Sequence, residues 1–373
     1  MEKFTVSNTP GVFEGWPDLV KTKTDRLICT YTECSSHQER KNTRLVYRIS
    51  DDRGRTWCDS RYLTDPISPE ETNPVYNNTS VSLLSDGRIA LLFDMFHAHG
   101  AGKHGVYMMF SEDNGETFGN IIETPVIGMV PDKLLELKCG RWIITAHINE
   151  HISSEKDNNV WVSDEGDNKL VQNLWYSDDK GKTWSESITV GKDKRYNLCE
   201  GSILETSDET LVAFMRENSG KGIGALKAIS YNHGESWEGV YETPLQGAHK
   251  PVAGKVGDDL IMVTYRYLPS GCMSMKAINS NLFAGFLFEN ELKNTEYSKQ
   301  GIRVFPIDYD RSSESDTGYS GWVKFNDGEI YVVNYLVDDK QYKGLPQAQI
   351  RGYCFSLKDI FIDYEESTKK LGM

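Results

Sequence analysis

Across its 373 residues the sequence has no apolar run approaching the length of a membrane span, which excludes a helical membrane protein. The first residues, Met1 to Val6, lack the apolar stretch of a secretory leader, so a cytoplasmic chain is expected. Positive charge is scarce. Against 55 Asp and Glu stand 41 Lys and Arg, and the net charge of −14 would repel a phosphate backbone. Nucleic acid is therefore excluded as a partner, although a local basic pocket for an anionic small molecule is not. The seven cysteines, at 29, 34, 58, 139, 199, 272 and 354, are odd in number and contain no Cys-x-x-Cys. Reduced thiols are expected, with neither a disulfide set nor a zinc site. Helical periodicity is sparse, and no Pro/Ser-rich or charged linker interrupts the chain. A single domain over residues 1–373 is expected, with 38% hydrophobic residues sufficing for its core.

What the sequence does contain is repetition. Ser177-Asp178-Asp179-Lys180-Gly181-Lys182-Thr183-Trp184 recurs as Ser50 to Trp57, Ser111 to Phe118 and Ser230 to Trp237. The shared pattern is Ser-x-Asp-x-Gly-x-Thr-Trp, an Asp box. An alternating apolar run precedes each copy, as in Leu45-Val46-Tyr47-Arg48-Ile49. Asp bonds its own backbone and Gly allows a positive φ, so each copy predicts a β-hairpin turn. The closing Trp or Phe is expected to start the next strand and anchor it in the core.

A second repeat lies upstream of each hairpin and reads strand, polar turn, strand. The clearest copy is Val81 to Leu92, around Asp86-Gly87. Alignment on the turn gives Thr24, Asp86, Cys139, Asp208, Asp258 and Asp327. Three residues further on stand Leu27, Ile89, Trp142, Leu211, Ile261 and Ile330, all apolar. Six such units predict an all-β chain, a six-bladed β-propeller with Asp-box hairpins in its first four blades. Phe283 to Asn290 reads as the remnant of the box in the fifth blade, and the sixth ends near Gln349 to Phe355. Phe4 to Val6 is expected to add a strand to the last blade and close the ring, removing exposed edges. Two stacked sandwiches would require a linker that is missing. Two long insertions, Asp94 to His104 and His151 to Asp167, follow second strands and are expected to rim the central pocket.

In a propeller the first strand of each blade lines the channel. Its start and the end of strand two lie at one mouth. Counting eight residues back and forward from each turn pairs Trp16 with Thr32, Asn78 with Asp94, Pro131 with His147, Glu200 with Arg216, Lys250 with Arg266 and Tyr319 with Tyr335. This convergence of aromatic, acidic and basic groups predicts a binding site. Arg216 and Arg266 near one axis repel, which suggests an anion between them, such as a carboxylate or sulfate on a sugar.

With these residues in place, the sequence resembles the sialidase (neuraminidase) superfamily of six-bladed propellers over nearly its whole length. Asp316-Thr317-Gly318-Tyr319-Ser320-Gly321 is similar to the segment carrying that family's nucleophilic tyrosine. Asn197 to Glu205, around Glu200, is similar to the segment of its activating glutamate, and Arg216 to one of three arginines that grip the sialic acid carboxylate. The resemblance implies that Tyr319 attacks the anomeric carbon while Glu200 takes its proton. A phenol of pKa about 10 needs such a base. The pattern also departs from the family. Gly15-Trp16-Pro17 stands where the first arginine is usual, and Arg266 is the candidate for the third. The region of the acid/base aspartate, Thr32 to Arg40, has no Asp and offers His37 and Glu39 instead. The chain thus resembles a divergent, sialidase-like branch.

The expected function is an exo-acting glycoside hydrolase on a terminal, acidic sugar. Its candidate catalytic residues are Tyr319, Glu200, His37 and Glu39. The candidate substrate-binding residues are Arg216, Arg266, Lys250, His249, Asp94, His97 and Trp16. A lyase acting on a uronic acid sugar would also use His, Tyr and Arg, and a non-catalytic sugar-binding propeller is the third reading. His97, His99 and His104 cluster in a Gly-rich loop without an evident fourth ligand, so no metal and no cofactor is expected. A carbohydrate partner is expected, and the sequence leaves the oligomeric state open.

Overall fold

The structure is a computed structural model, and it describes residues 1–68, 75–96, 105–149, 170–268, 280–312, 315–337 and 347–361. Its strands form six four-stranded antiparallel sheets arranged as a β-propeller. After β1 (Glu2–Ser7), blade one contains β2 (Phe13–Lys21), β3 (Leu27–Cys34), β4 (Arg44–Ser50) and β5 (Arg61–Tyr62). Blade two contains β6 (Val75–Leu83), β7 (Ile89–Phe96), β8 (Gly105–Ser111) and β9 (Ile122–Ile127). Blade three contains β10 (Leu135–Glu136), β11 (Trp142–Asn149), β12 (Leu170–Ser177) and β13 (Ile188–Gly191). Blade four contains β14 (Leu198–Glu205), β15 (Leu211–Glu217), β16 (Leu226–Ser230) and β17 (Glu238–Glu242). Blade five contains β18 (Ala248–Lys255), β19 (Leu260–Tyr267), β20 (Asn281–Phe288) and β21 (Arg303–Tyr309). Blade six contains β22 (Thr317–Lys324), β23 (Glu329–Leu336) and β24 (Gln349–Ser356), with β1 as its outer strand. The expected closure is present: Phe4 pairs with Gly352 and Glu2 with Cys354.

The repeat is legible in the packing. The six apolar residues that follow the turns, from Leu27 to Ile330, are all fully buried. Each contributes about 1.5–3 kcal/mol on removal from water. In the first Asp box, Ser50 Oγ donates to Asp52 at 2.8 Å and accepts from the Gly54 amide at 2.7 Å. Asp52 also accepts from the Thr56 amide at 2.9 Å and the Thr56 hydroxyl at 2.6 Å. The turn needs positive φ at two successive positions, Arg53 (59°) and Gly54 (83°), as a tight hairpin turn requires. The aromatic residue does not start the next strand. Trp57 precedes β5, is half-buried and packs beside the core of blades one and six. Blade five carries 3-10 turns at Glu289–Glu291 and Tyr297–Lys299 where blades one to four have the box. The six described cysteines are free thiols. Both long insertions leave second strands, β7 and β11, but residues 97–104 and 150–169 lie outside the described residues.

One feature of the inner strands positions the site. In blades one, two, four, five and six the ladder between the first two strands is broken by a bulge, between Gly15 and Asp18, Asn77 and Ser80, Cys199 and Ser202, His249 and Val252, and Thr317 and Ser320. Trp16 (φ 54°), Asn78 (50°), Glu200 (49°), Lys250 (46°) and Gly318 (104°) occupy these bulges in the left-handed region. Val130 (50°) holds the matching place in blade three. Only Gly318 is a glycine, and for the others the conformation costs about 1–3 kcal/mol. The bulges correct the expected pairing. Thr32, Asp94, Arg216 and Arg266 face Gly15, Asn77, Cys199 and His249, one residue earlier than the count of eight gives. The extra residue turns the strand locally and re-aims the side chains at the axis.

Candidate active site

Tyr319 and Glu200 meet across the channel from blades six and four. Tyr319 Oη donates a hydrogen bond to Glu200 Oε1, and both side chains are buried. Arg216 Nη1 donates to the same carboxylate oxygen at 2.7 Å, and its Nη2 donates to Asn218 at 2.6 Å. Burial alone would raise the Glu200 pKa. The Arg216 charge and the Tyr319 hydroxyl outweigh it and lower the carboxyl to about 2. Burial, reinforced by the Glu200 charge, pushes the Tyr319 phenol well above its ordinary value. The resting pair is therefore an ionised carboxylate and a protonated phenol.

A second network lies beside it. His37 Nδ1 is 2.5 Å from Asp316 Oδ2, while Tyr335 Oη donates to Asp316 Oδ1 at 2.6 Å. Arg266 Nη2 donates to Tyr335 Oη at 2.7 Å, its Nε donates to the Thr317 carbonyl at 2.5 Å, and its guanidinium lies 4.6 Å from the Tyr319 ring centroid. Although Asp316 is buried, His37 and then Arg266 hold its carboxyl down at about 2. Trp16 supports this side: its ring lies 5.0 Å from the His37 ring and 6.0 Å from that of Tyr335. Among the described residues the Nε2 edge of His37 carries no hydrogen bond. His37 is thus oriented by a carboxylate in the manner of a general acid or base.

The remaining candidates divide. Asp94 is fully buried at the end of β7, accepting from Asn78 and from the Val130 amide, each at 2.8 Å. Burial raises its pKa to about 6. Lys250 is buried and borders the space on the axis with Asn78, Pro131 and Tyr319. His249 is buried, neither ring nitrogen has a hydrogen-bond partner among the described residues, and burial holds its pKa well below the usual histidine value. Glu39 does not join them. It is exposed and pairs with Lys41 at 3.4 Å, because the loop after β3 turns its backbone outward between two inward residues, His37 and Arg40. His97 lies outside the described residues. Arg216 bonds Glu200 and Asn218, and Arg266 bonds Thr317 and Tyr335 and lies 3.6 Å from Asp316, so a carboxylate of the protein itself stands beside each guanidinium.

Two residues of this site went unread in the sequence. Asp316 was visible only as part of the Tyr319 segment. Arg40, on the loop following β3, is buried with its guanidinium 4.3 Å from the Trp16 ring centroid, and its Nε donates to the His37 carbonyl at 3.0 Å. The charge of Arg40 is felt at Asp94, Tyr319 and Tyr335. Its place on the loop that follows a second strand was the available clue.

Comparison with known proteins agrees with this fold. A profile of the BNR repeat-like domain matches residues 25–264. A sialidase of Paraclostridium sordellii is 24% identical over 327 residues, covering 79% of this chain and 74% of that protein. A Dyadobacter fermentans protein of unknown function superposes with a TM-score of 0.73 at 20% identity, covering 95% of this chain and 98% of that one. The leech intramolecular trans-sialidase gives 0.63 at 12% identity, covering 95% of this chain and 69% of that one. With the repeat matched over most of the chain and the propeller closed, this protein belongs to the BNR repeat-like domain family and is a divergent member of the sialidase superfamily.

Proposed function

We propose that this protein is a retaining, exo-acting glycoside hydrolase for a terminal acidic sugar. The observation that carries the reading is the hydrogen bond from Tyr319 to Glu200, with Arg216 on the same carboxylate oxygen. Tyr319 Oη attacks the anomeric carbon as Glu200 takes the phenolic proton. The glycosidic bond breaks, and the leaving oxygen receives a proton from His37, held by Asp316. In the second half, neutral His37 accepts a proton from water, which displaces Tyr319 from the sugar. Glu200 returns the proton to the phenolate. Acid and base work of this kind accelerates a step by about 10²–10⁴-fold. The guanidinium groups of Arg40, Arg216 and Arg266 and the Lys250 ammonium give the pocket a positive field within a chain of net charge −14. That contrast favours an anionic sugar. The hydrogen bond from Tyr319 to an ionised carboxylate favours a nucleophile over the neutral proton donor a lyase would need.

The test is a panel of fluorogenic glycosides, sialosides and uronides included, with wild type and Tyr319→Phe. Release of fluorophore by the wild type and its loss in the variant is expected. Full activity in Tyr319→Phe would remove the phenol from the mechanism, and an unsaturated product absorbing in the ultraviolet would replace hydrolysis with elimination.

A further inference from the structure

Lys250 stands apart from the other cations of the funnel. Lys133 pairs with Asp18 at 3.1 Å, Arg216 with Glu200 and Arg266 with Tyr335. Lys250 is 8% exposed, yet among the described residues its ammonium makes no hydrogen bond and no ion pair. A buried, unpaired charge is costly unless something else meets it. The backbone adds to that cost. Lys250 sits at the bulge of β18 with φ 46°, and Pro251 follows it, which normally drives the preceding residue to an extended conformation. Strain and an unpaired charge thus coincide at a residue that borders the space on the axis with Trp16, Asn78, Pro131, Tyr319 and Ser320.

The protein's own anions do not answer this ammonium: of the two carboxylates that line the same space, Asp18 pairs with Lys133 and accepts from the Val81 amide, and Asp132 accepts from the Ile203 amide at 3.1 Å. Glu200 is held by Arg216 and Tyr319, and Asp316 by His37 and Tyr335. Asp94 feels the Lys250 charge but forms no salt bridge with it, and Asp94 Oδ1 has no hydrogen-bond partner among the described residues.

We infer that Lys250 binds the anionic substituent of the sugar, a carboxylate or sulfate, and so sets the preference for charged over neutral substrates. The ammonium donates to the anionic oxygens beside Tyr319. Arg216 and Arg266 instead hold the catalytic groups in place. This assignment rests on reading the pocket as a sugar site, but not on turnover.

The experiment is calorimetric titration of the full chain with glucuronate, glucose 6-sulfate and glucose at fixed ionic strength, using wild type, Lys250→Met and Lys250→Arg. The wild type is expected to bind one charged probe more tightly than glucose, and the probe it prefers distinguishes carboxylate from sulfate. Lys250→Met is expected to lose that preference by about 10- to 100-fold with glucose binding unchanged. Lys250→Arg keeps part of the preference. A preference that survives in Lys250→Met overturns the assignment. Wild type that binds none of the three probes overturns both the sugar site and the role of Lys250. Lys250-dependent binding without cleavage of any glycoside overturns only the proposed hydrolysis.

Discussion

Tyr319 and Glu200 are 119 residues apart in sequence and joined by one hydrogen bond, from the phenol of blade six to the carboxylate of blade four. Neither blade alone can make this pair, so closure of the ring is a condition of the chemistry. Tyr319→Phe removes the proposed nucleophile and leaves Glu200 with Arg216. Tyr319→Phe and Glu200→Gln are each expected to lower kcat by about 10²-fold or more, with little change in circular dichroism. Steady-state kinetics on the best glycoside checks this. A kcat within a factor of two of wild type for either variant would break the proposed pairing.

Arg216 is predicted to matter for stability as well as for turnover. It meets Glu200 in a buried ion pair, and removing one partner strands the other charge. Arg216→Met is expected to cost about 3–5 kcal/mol by chemical denaturation. The double variant Arg216→Met with Glu200→Gln should recover part of that loss, since no charge is then left unpaired. Equal losses in the single and double variants would show that packing, rather than the ion pair, sets the cost.

The blades were legible because their physics is local and repeated. A short turn, then an apolar residue three positions on, recurs with enough fidelity that Leu27, Ile89, Trp142, Leu211, Ile261 and Ile330 all end fully buried. Tyr319, Glu200 and Arg216 could be placed at one mouth by counting from those turns. The bulges could not be counted. Positive φ at Trp16, Glu200 and Lys250 has no compositional mark, since none of them is glycine, and it shifts each strand pairing by one residue. The loop after β3 was equally opaque. His37 and Glu39 are two residues apart and chemically plausible alike, and only the fold turns one to Asp316 and the other to Lys41. Arg40 was passed over because its partner, the Trp16 face, lies in another strand.

The dyad of His37 and Asp316 carries a prediction that separates proton donation from simple packing. A leaving group that departs readily as its anion needs no acid. His37→Gln should therefore lose about 10²-fold or more on alkyl glycosides and far less on 4-nitrophenyl glycosides. Asp316→Asn should show the same split more weakly, since Tyr335 and Arg266 still surround the site. Equal losses on both substrate classes would return His37 to a packing role against Trp16.

Asp94 and His147 make opposite contributions to stability between pH 4 and 6.5, and substitution separates them. Burial raises the Asp94 pKa from 3.8 to about 6, so in that interval the folded chain holds the proton and the unfolded chain does not. Stability from this group rises as pH falls from 6 toward 4. Burial lowers His147 from 6.5 to about 4, so there the unfolded chain binds the extra proton and stability falls as pH falls through the same window. Asp94→Asn removes the first contribution and can keep the contacts with Asn78 and Val130 through its amide oxygen. It should exceed wild type in stability above pH 6, by at most about 3 kcal/mol, with the advantage vanishing toward pH 4. His147→Gln should do the reverse, matching wild type near pH 7 and exceeding it near pH 4.5. Urea denaturation at half-unit intervals from pH 4 to 7 measures both. A constant offset between Asp94→Asn and wild type across that range would mean that Asp94 does not titrate there.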